Sequence, residues 1–415
     1  MNKLILTNIN ELVTCRGDTP KRGVAMNDVG IIHDGSVVIE GDKISAVGSN
    51  IDILNNYDIS KFKEINCTGK AVLPGFVDSH THFIFGGYRN REFSMRLDGA
   101  SYMDIQNAGG GIASTVESTR NASIEELIET GLKRADSMLS FGVTTVEGKS
   151  GYGLDKDTEI NQLRAMKQIS VSHPIDVVST FMGAHSIPKG YKGREIEYLE
   201  FLIAQVLPIV KKENLAEFVD IFCEQGVFNI EQSEFYLSNA KKTGFKVKLH
   251  ADEIVQTGGA ELGVELNAIS ADHLLQVSEE GIRRMADSGV IATLLPATAF
   301  NLKEKYADAR HMIDSGCAVA LATDFNPGSS FTNSIPLVVA LAAINMEMNI
   351  REIVAALTIN GACAIDRQKE VGSIEKGKKA DIIILDYPSI DFLPYHTGIN
   401  IVKTVIKNGK VVIDN

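Results

Sequence analysis

Between about residues 69 and 365 the chain repeats one pattern: a short apolar run, a polar or glycine-rich stretch, then a segment with hydrophobic positions at helical period. The apolar runs cover 71–78, 142–147, 176–182, 218–222, 245–250, 268–273, 290–295 and 318–324. Each is short, apolar and followed by a polar or glycine-rich loop, so each predicts a strand. Amphipathic periodicity over 124–140, 158–170, 195–212 and 278–288 predicts helices between them. Eight strands alternating with helices predict an α/β fold of the (β/α)8, TIM-like barrel type, with a doubly wound open sheet as the competitor.

Both ends of the chain carry a different pattern. Strands are expected over 4–9 and 35–40, then a turn at Gly41-Asp42 and a strand over 43–47. Near the other end come 380–385 and a second hairpin, 405–407 turning at Asn408-Gly409 into 411–413. The economical organisation joins 1–68 and 366–415 in one small β-sandwich and inserts the barrel, 69–365, between them.

With 415 residues, 44% of them hydrophobic, the chain can bury a large core. A formal net charge of -12 argues against a nucleic-acid surface or an anionic membrane face as partner, and leaves a small molecule. The opening Met1-Asn2-Lys3-Leu4-Ile5-Leu6-Thr7-Asn8 turns polar too early for a signal peptide, and no apolar run reaches bilayer length, so a cytoplasmic protein is expected. The five cysteines, Cys15, Cys67, Cys223, Cys317 and Cys363, form no C-x-x-C pair and read as buried structural thiols of a reducing compartment.

Chemistry concentrates where the barrel strands end. His80 and His82 stand at i and i+2 after an apolar strand, so both imidazoles project from one face. A lone H-x-H is more often a surface pair, but a strand buried on both sides makes idle terminal histidines improbable. His185, His250 and His273 also fall at or just past strand ends, and Asp324 closes the eighth strand. The other four histidines, His33, His173, His311 and His396, are assigned to turns or helices with no chemical role. His80, His82, His250 and Asp324 form a three-imidazole, one-carboxylate set that fits one borderline metal ion with room for water. Zinc is the first choice and iron is compatible.

Val77-Asp78-Ser79-His80-Thr81-His82, His250-Ala251-Asp252-Glu253, Ala271-Asp272-His273 and Thr323-Asp324-Phe325-Asn326-Pro327-Gly328-Ser329 resemble the metal-dependent amidohydrolase superfamily, nearly end to end. Four loop segments narrow the resemblance: Phe85-Gly86-Gly87-Tyr88-Arg89, Gly109-Gly110-Gly111-Ile112, Lys149-Ser150-Gly151-Tyr152-Gly153-Leu154 and Met182-Gly183-Ala184-His185. They are similar to members that open the cyclic amide of an imidazolone bearing a propanoate arm. The resemblance implies that Asp324 takes the proton of the attacking water and that His273 holds the nucleophile or polarises the carbonyl. Glu253 would handle a proton at the ring nitrogen as the C–N bond breaks. Arg89 matches the residue that grips the substrate carboxylate, a task suited to a planar fork. Tyr152 and His185 match positions that contact ring and propanoate, and Asn326, Gly328 and Ser329 would touch substrate after the eighth strand.

The resemblance also suggests a homodimer. Members with two metals often bridge them with a carboxylated lysine at the end of strand four; Phe222-Cys223-Glu224-Gln225 stands there, so one metal is expected. The glycines at 109–111 are expected to form part of a loop that covers the substrate. The nearest alternative is an aminohydrolase of a cytosine- or guanine-like ring, which would have no propanoate for Arg89 to hold. A catalytically dead scaffold would show broken ligands, and every expected ligand is present.

Overall fold

The structure is a computed structural model that describes residues 2–100, 104 and 109–415. Eight parallel strands stand side by side in chain order: Phe76–Asp78, Val143–Lys149, Asp176–Ala184, Phe218–Cys223, Leu249–Ala251, Ser270–His273, Ile291–Leu294 and Val319–Leu321. They are called the first to eighth barrel strands below. A two-residue strand, Lys246–Val247, adds to the fourth just before the fifth begins.

The ring closes between its first and last members at the carboxyl end. Thr81 and Phe325 form a parallel bridge, Asp324 N donates to the His80 carbonyl at 3.0 Å, and His82 N donates to the Phe325 carbonyl at 2.9 Å. Asp78 fastens the same seam by accepting from Thr323 N at 3.0 Å and Thr323 Oγ1 at 2.6 Å. Closure therefore brings the H-x-H segment and the Thr-Asp segment together, although more than 240 residues separate Asp78 from Thr323.

Helices cover the outside where the period of 3.6 requires them. Ile124–Ser140 matches its expected bounds and starts at Ser123 with a full capping box through Glu126. The helix expected as one piece over 195–212 is Glu195–Phe201 and Leu207–Lys212 with a π-type turn, Leu202–Val206, between them. Pro208 explains the interruption: it lacks an N–H and its ring crowds the carbonyl four residues earlier.

The chain ends meet in one mixed eight-stranded sheet. Its order is Lys410–Asp414, Val402–Lys407, Ile382–Leu385, Ala71–Pro74, Lys3–Val13, Ile31–Glu40 and Lys43–Ser49, with Lys63–Asn66 also pairing on Lys3–Val13. Leu4, Leu6, Val37, Ile39 and Ile44 share one buried cluster with Ile382, Ile384 and Ile406, so strands from the two ends face a common core. His33, expected in a turn or helix, lies exposed in Ile31–Glu40.

The stretch read as one strand from Ala71 to the histidines is two strands. Ala71–Pro74 belongs to the terminal sheet and Phe76–Asp78 to the barrel, with the change of layer at Gly75. A Cβ at Gly75 would lie 2.9 Å from Thr144 Cβ, so only glycine lets the backbone pass this close to the second strand. An apolar run cannot reveal that its two halves serve different cores.

Candidate metal centre

The histidines predicted at the strand ends converge, and all are nearly or fully buried apart from a half-buried His185. Ring centroids lie 4.6 Å apart for His80 and His250, 5.4 Å for His80 and His82, and 5.0 Å for His250 and His273. His185 stacks on His82 at 4.7 Å with the rings 15° apart. Two residues reach the cluster through left-handed backbone, His273 at φ 78° and Asp324 at φ 49°. For His273 this turns an adjacent pair, Asp272 and His273, towards the same side, which regular strand alternation forbids.

Donor atoms with potential to share an ion form overlapping triads: His80, His82 and Asp324; His80, His250 and His273; His82, His185 and His250. His80 Nε2 is 3.6 Å, and His82 Nε2 3.9 Å, from Asp324 Oδ1. Donors bound to one tetrahedral ion lie about 3.4 Å apart, so these separations need only small adjustments to share one. Among the described residues, buried His80 Nε2, His82 Nδ1 and His273 Nδ1 find no hydrogen-bond partner. An orphaned lone pair is costly in a protein interior and is satisfied by a cation. The donor set thus fits a metal ion.

Electrostatics agree. Burial, followed by neighbouring positive groups, holds His80, His82 and His250 well below the ordinary imidazole pKa. Burial also pulls His185 and His273 down to about 4. Neutral rings keep the lone pairs that ligation requires. Asp324 is pushed up to about 7 by burial, against hydrogen bonds that include one from Thr298 Oγ1 at 2.5 Å.

Glu253 Oε2 faces His273 Nε2 at 3.5 Å. Burial first, then the charges of Asp324, Glu224 and Glu304, pushes its carboxyl up to about 8, so it carries a proton at neutral pH. Its loop is braced by Glu224, whose carboxylate accepts from Ile254 N at 2.8 Å. Glu224 therefore faces loop backbone, and among the described residues it joins none of the donor triads.

The expected substrate contacts rim this centre. Tyr152, almost wholly buried, lies 5.2 Å from His185 and 5.8 Å from His82 between ring centroids. Arg89 grips Glu92 through Nε and Nη2, both at 2.8 Å, and its guanidinium presses on Gly328, where an added Cβ would come within 3.0 Å of Arg89 Cζ. Glu92 also accepts from Gly111 N at 3.1 Å, tying the 109–111 glycines to the arginine. Asn326 spends its side chain on its own loop, accepting from Gly328 N and Ser329 N, both at 2.8 Å, and donating to Ser329 Oγ at 2.9 Å. Its amide shapes the loop that presents Gly328 and Ser329.

Sequence reasoning missed the polar layer beneath the histidines. Asp272 Oδ2 meets His80 Nδ1 at 2.6 Å, and Asp220 Oδ2 meets His250 Nδ1 at 3.2 Å. Glu147, Lys149 and Lys248 lie with them, all wholly buried. Charged residues at i and i+2 inside apolar strands, as in Glu147 and Lys149 or Lys248 and His250, were the available signal.

A family model described as the Amidohydrolase family matches residues 71–412. The chain is 59% identical to an imidazolonepropionase of Clostridium tetani (strain Massachusetts / E88) over 409 residues, covering 99% of this chain and 98% of that protein. It is 54% identical to an imidazolonepropionase of Parabacteroides distasonis over 410 residues, covering 99% of both. Among solved structures, an atrazine chlorohydrolase of Arthrobacter aurescens TC1 complexed with zinc superposes with a TM-score of 0.72 at 16% identity, covering 99% of this chain and 95% of that one, a likeness of fold.

Proposed function

We infer that this chain, which belongs to the amidohydrolase family and within it to the imidazolonepropionases, opens the ring of 4-imidazolone-5-propanoate with water to give N-formimidoyl-L-glutamate. It is a hydrolase of C–N bonds in a cyclic amide. The observation that carries this reading to the site is the overlap of two donor triads, His80 with His82 and Asp324 and His80 with His250 and His273, with Glu253, its carboxyl pushed up to about 8, at their edge.

His80, His82, His250 and Asp324 would hold one ion, zinc first and iron as the alternative. When bound, it supplies Lewis acidity and makes hydroxide available near neutral pH. Asp324 accepts the proton of the attacking water; Thr298 Oγ1 on Oδ2 leaves Oδ1 facing the histidines. His273, neutral, holds the nucleophile or donates to the carbonyl oxygen that gains charge. As the carbon–nitrogen bond breaks, Glu253 gives its proton to the departing ring nitrogen, and the carbonyl carbon becomes the new carboxyl group.

Arg89 binds the propanoate, Tyr152 and His185 line the ring, and Gly328 and Ser329 offer backbone from a loop that Asn326 stiffens. The 109–111 glycines are part of the cover over the bound substrate, supported by the Glu92 link to Arg89. No helix among the described residues is long and apolar enough to cross a membrane. A cytoplasmic setting is supported by five buried free thiols, and a homodimer is the assembly the family suggests.

The test follows the ultraviolet absorbance of freshly generated 4-imidazolone-5-propanoate. Turnover that chelation abolishes and added zinc or iron restores is expected. A metal-loaded protein that leaves the imidazolone intact would overturn the reading.

A further inference from the structure

One buried ammonium stands behind two of the histidines. Lys149, on the second barrel strand, places Nζ 2.7 Å from Asp220 Oδ2 and 3.6 Å from Asp272 Oδ2. Those carboxylates are the partners of His250 Nδ1 and His80 Nδ1. Glu147 lies 3.0 Å from the same ammonium and 2.7 Å from Lys248, whose Nζ also donates to the Ser79 carbonyl at 3.1 Å. Lys149, Glu147, Asp220, Asp272 and Lys248 are all wholly buried, so water screens none of these contacts.

Three carboxylates meet two lysines there, before any ion is counted. The Lys149 ammonium stands between the two carboxylates that back the ligand rings, and its contacts with them fix where they lie. A carboxylate held in place gives the ring Nδ1 a fixed partner, and that partner sets the tautomer and aim of the imidazole. Of the two lysines, only Lys149 has contacts with both Asp220 and Asp272 closer than 3.7 Å.

We propose that Lys149 is a positioning residue shared by two metal ligands: through Asp220 and Asp272 it sets the orientation and tautomer of His250 and His80 together. It touches neither substrate nor ion. The consequence is coupling, since disturbing one carboxylate changes what the ammonium offers the other. This rests on the metal-site reading given above.

The experiment measures zinc affinity by chelator competition in wild type, Lys149→Met, Lys149→Gln, Asp220→Asn, Asp272→Asn and the double variants. Thermal melting of the metal-free proteins reports folding. Loss of Lys149 is expected to weaken zinc about 10- to 100-fold, the range for changes behind a ligand. Each Asp-to-Asn penalty should be smaller in the Lys149→Met background than alone. In 15N-histidine spectra the downfield Nδ1–H signals of both His80 and His250 should move on loss of Lys149, which a merely structural lysine would not cause.

Folded Lys149 variants that hold zinc as wild type does, with both Nδ1–H signals unmoved, would overturn the proposal and leave the metal site standing. If neither Lys149 variant folds, the Asp220→Asn and Asp272→Asn pair decides: coupled penalties support the shared ammonium, and strictly additive ones overturn it. Zinc affinity unchanged in His80→Ala and His250→Ala would instead remove the metal-site reading itself.

Discussion

His80 Nδ1 sits 2.6 Å from Asp272 Oδ2, with both side chains wholly out of solvent. The contact pins the ring so that Nε2, unpartnered, faces Asp324. Asp272→Asn keeps the size and removes the charge that stabilises Nδ1–H. Metal affinity should fall about 10- to 100-fold, and raising the metal concentration should recover much of the activity. Metal titration of the purified variant checks this.

The proposed mechanism gives Glu253 the delivery of a proton and no place among the metal ligands. Glu253→Gln should retain the metal at wild-type stoichiometry while kcat drops on the order of 10²- to 10⁴-fold, the usual range for a lost general acid or base. Elemental analysis beside steady-state kinetics separates the two effects. A parallel loss of metal would show that the carboxyl serves the ion.

Arg89 and Gly328 should act as a pair. Arg89→Ala removes the fork proposed to bind the propanoate, and KM should rise on the order of 10- to 100-fold through loss of charge-assisted hydrogen bonds. Gly328→Ala leaves Arg89 in the chain, but the new methyl would lie within 3.0 Å of Arg89 Cζ and must displace it. A smaller rise in KM, with metal content unchanged, is expected. Substrate titration of both variants reads the difference.

Asp176 joins the third barrel strand to the terminal sheet, with Lys407 Nζ at 2.7 Å and Lys379 Nζ at 3.0 Å. Burial pushes its pKa up, but Lys407 and Lys379 outweigh it and hold the carboxyl below its ordinary value. A depressed carboxyl contributes stability above its unfolded pKa, and the contribution is lost as pH falls through the folded one. Asp176→Asn should therefore cost about 1–2 kcal/mol near pH 7, with the gap in melting temperature to wild type closing below about pH 4. Melting curves across that range test it.

The alternation of apolar runs with amphipathic segments was enough to specify a barrel, because strand and helix periods are local properties of the chain. The placement of His80, His82, His250, His273 and Asp324 at strand ends was legible for the same reason, since a barrel presents its strand ends on one rim. Local patterns could not tell that Ala71–Pro74 and Phe76–Asp78 serve different sheets: hydrophobicity says that a run is buried, not against what.

Nor could they reveal the ionic layer. Glu147, Lys149, Asp220 and Asp272 are distributed over three strands, with Lys248 just ahead of a fourth, and taken singly each is a charge in an apolar run, which argues against burial. Only the closed ring brings them within hydrogen-bond distance and makes their burial tolerable. The same holds for Glu253, whose carboxyl is pushed up by burial at the rim and by Asp324 and Glu224, partners that stand just past the ends of other strands. Residue types and their periods were set by the sequence itself; which charges meet, and hence which of them keep their protons, was decided by tertiary structure, because electrostatic energy depends on distance in space and on the exclusion of water.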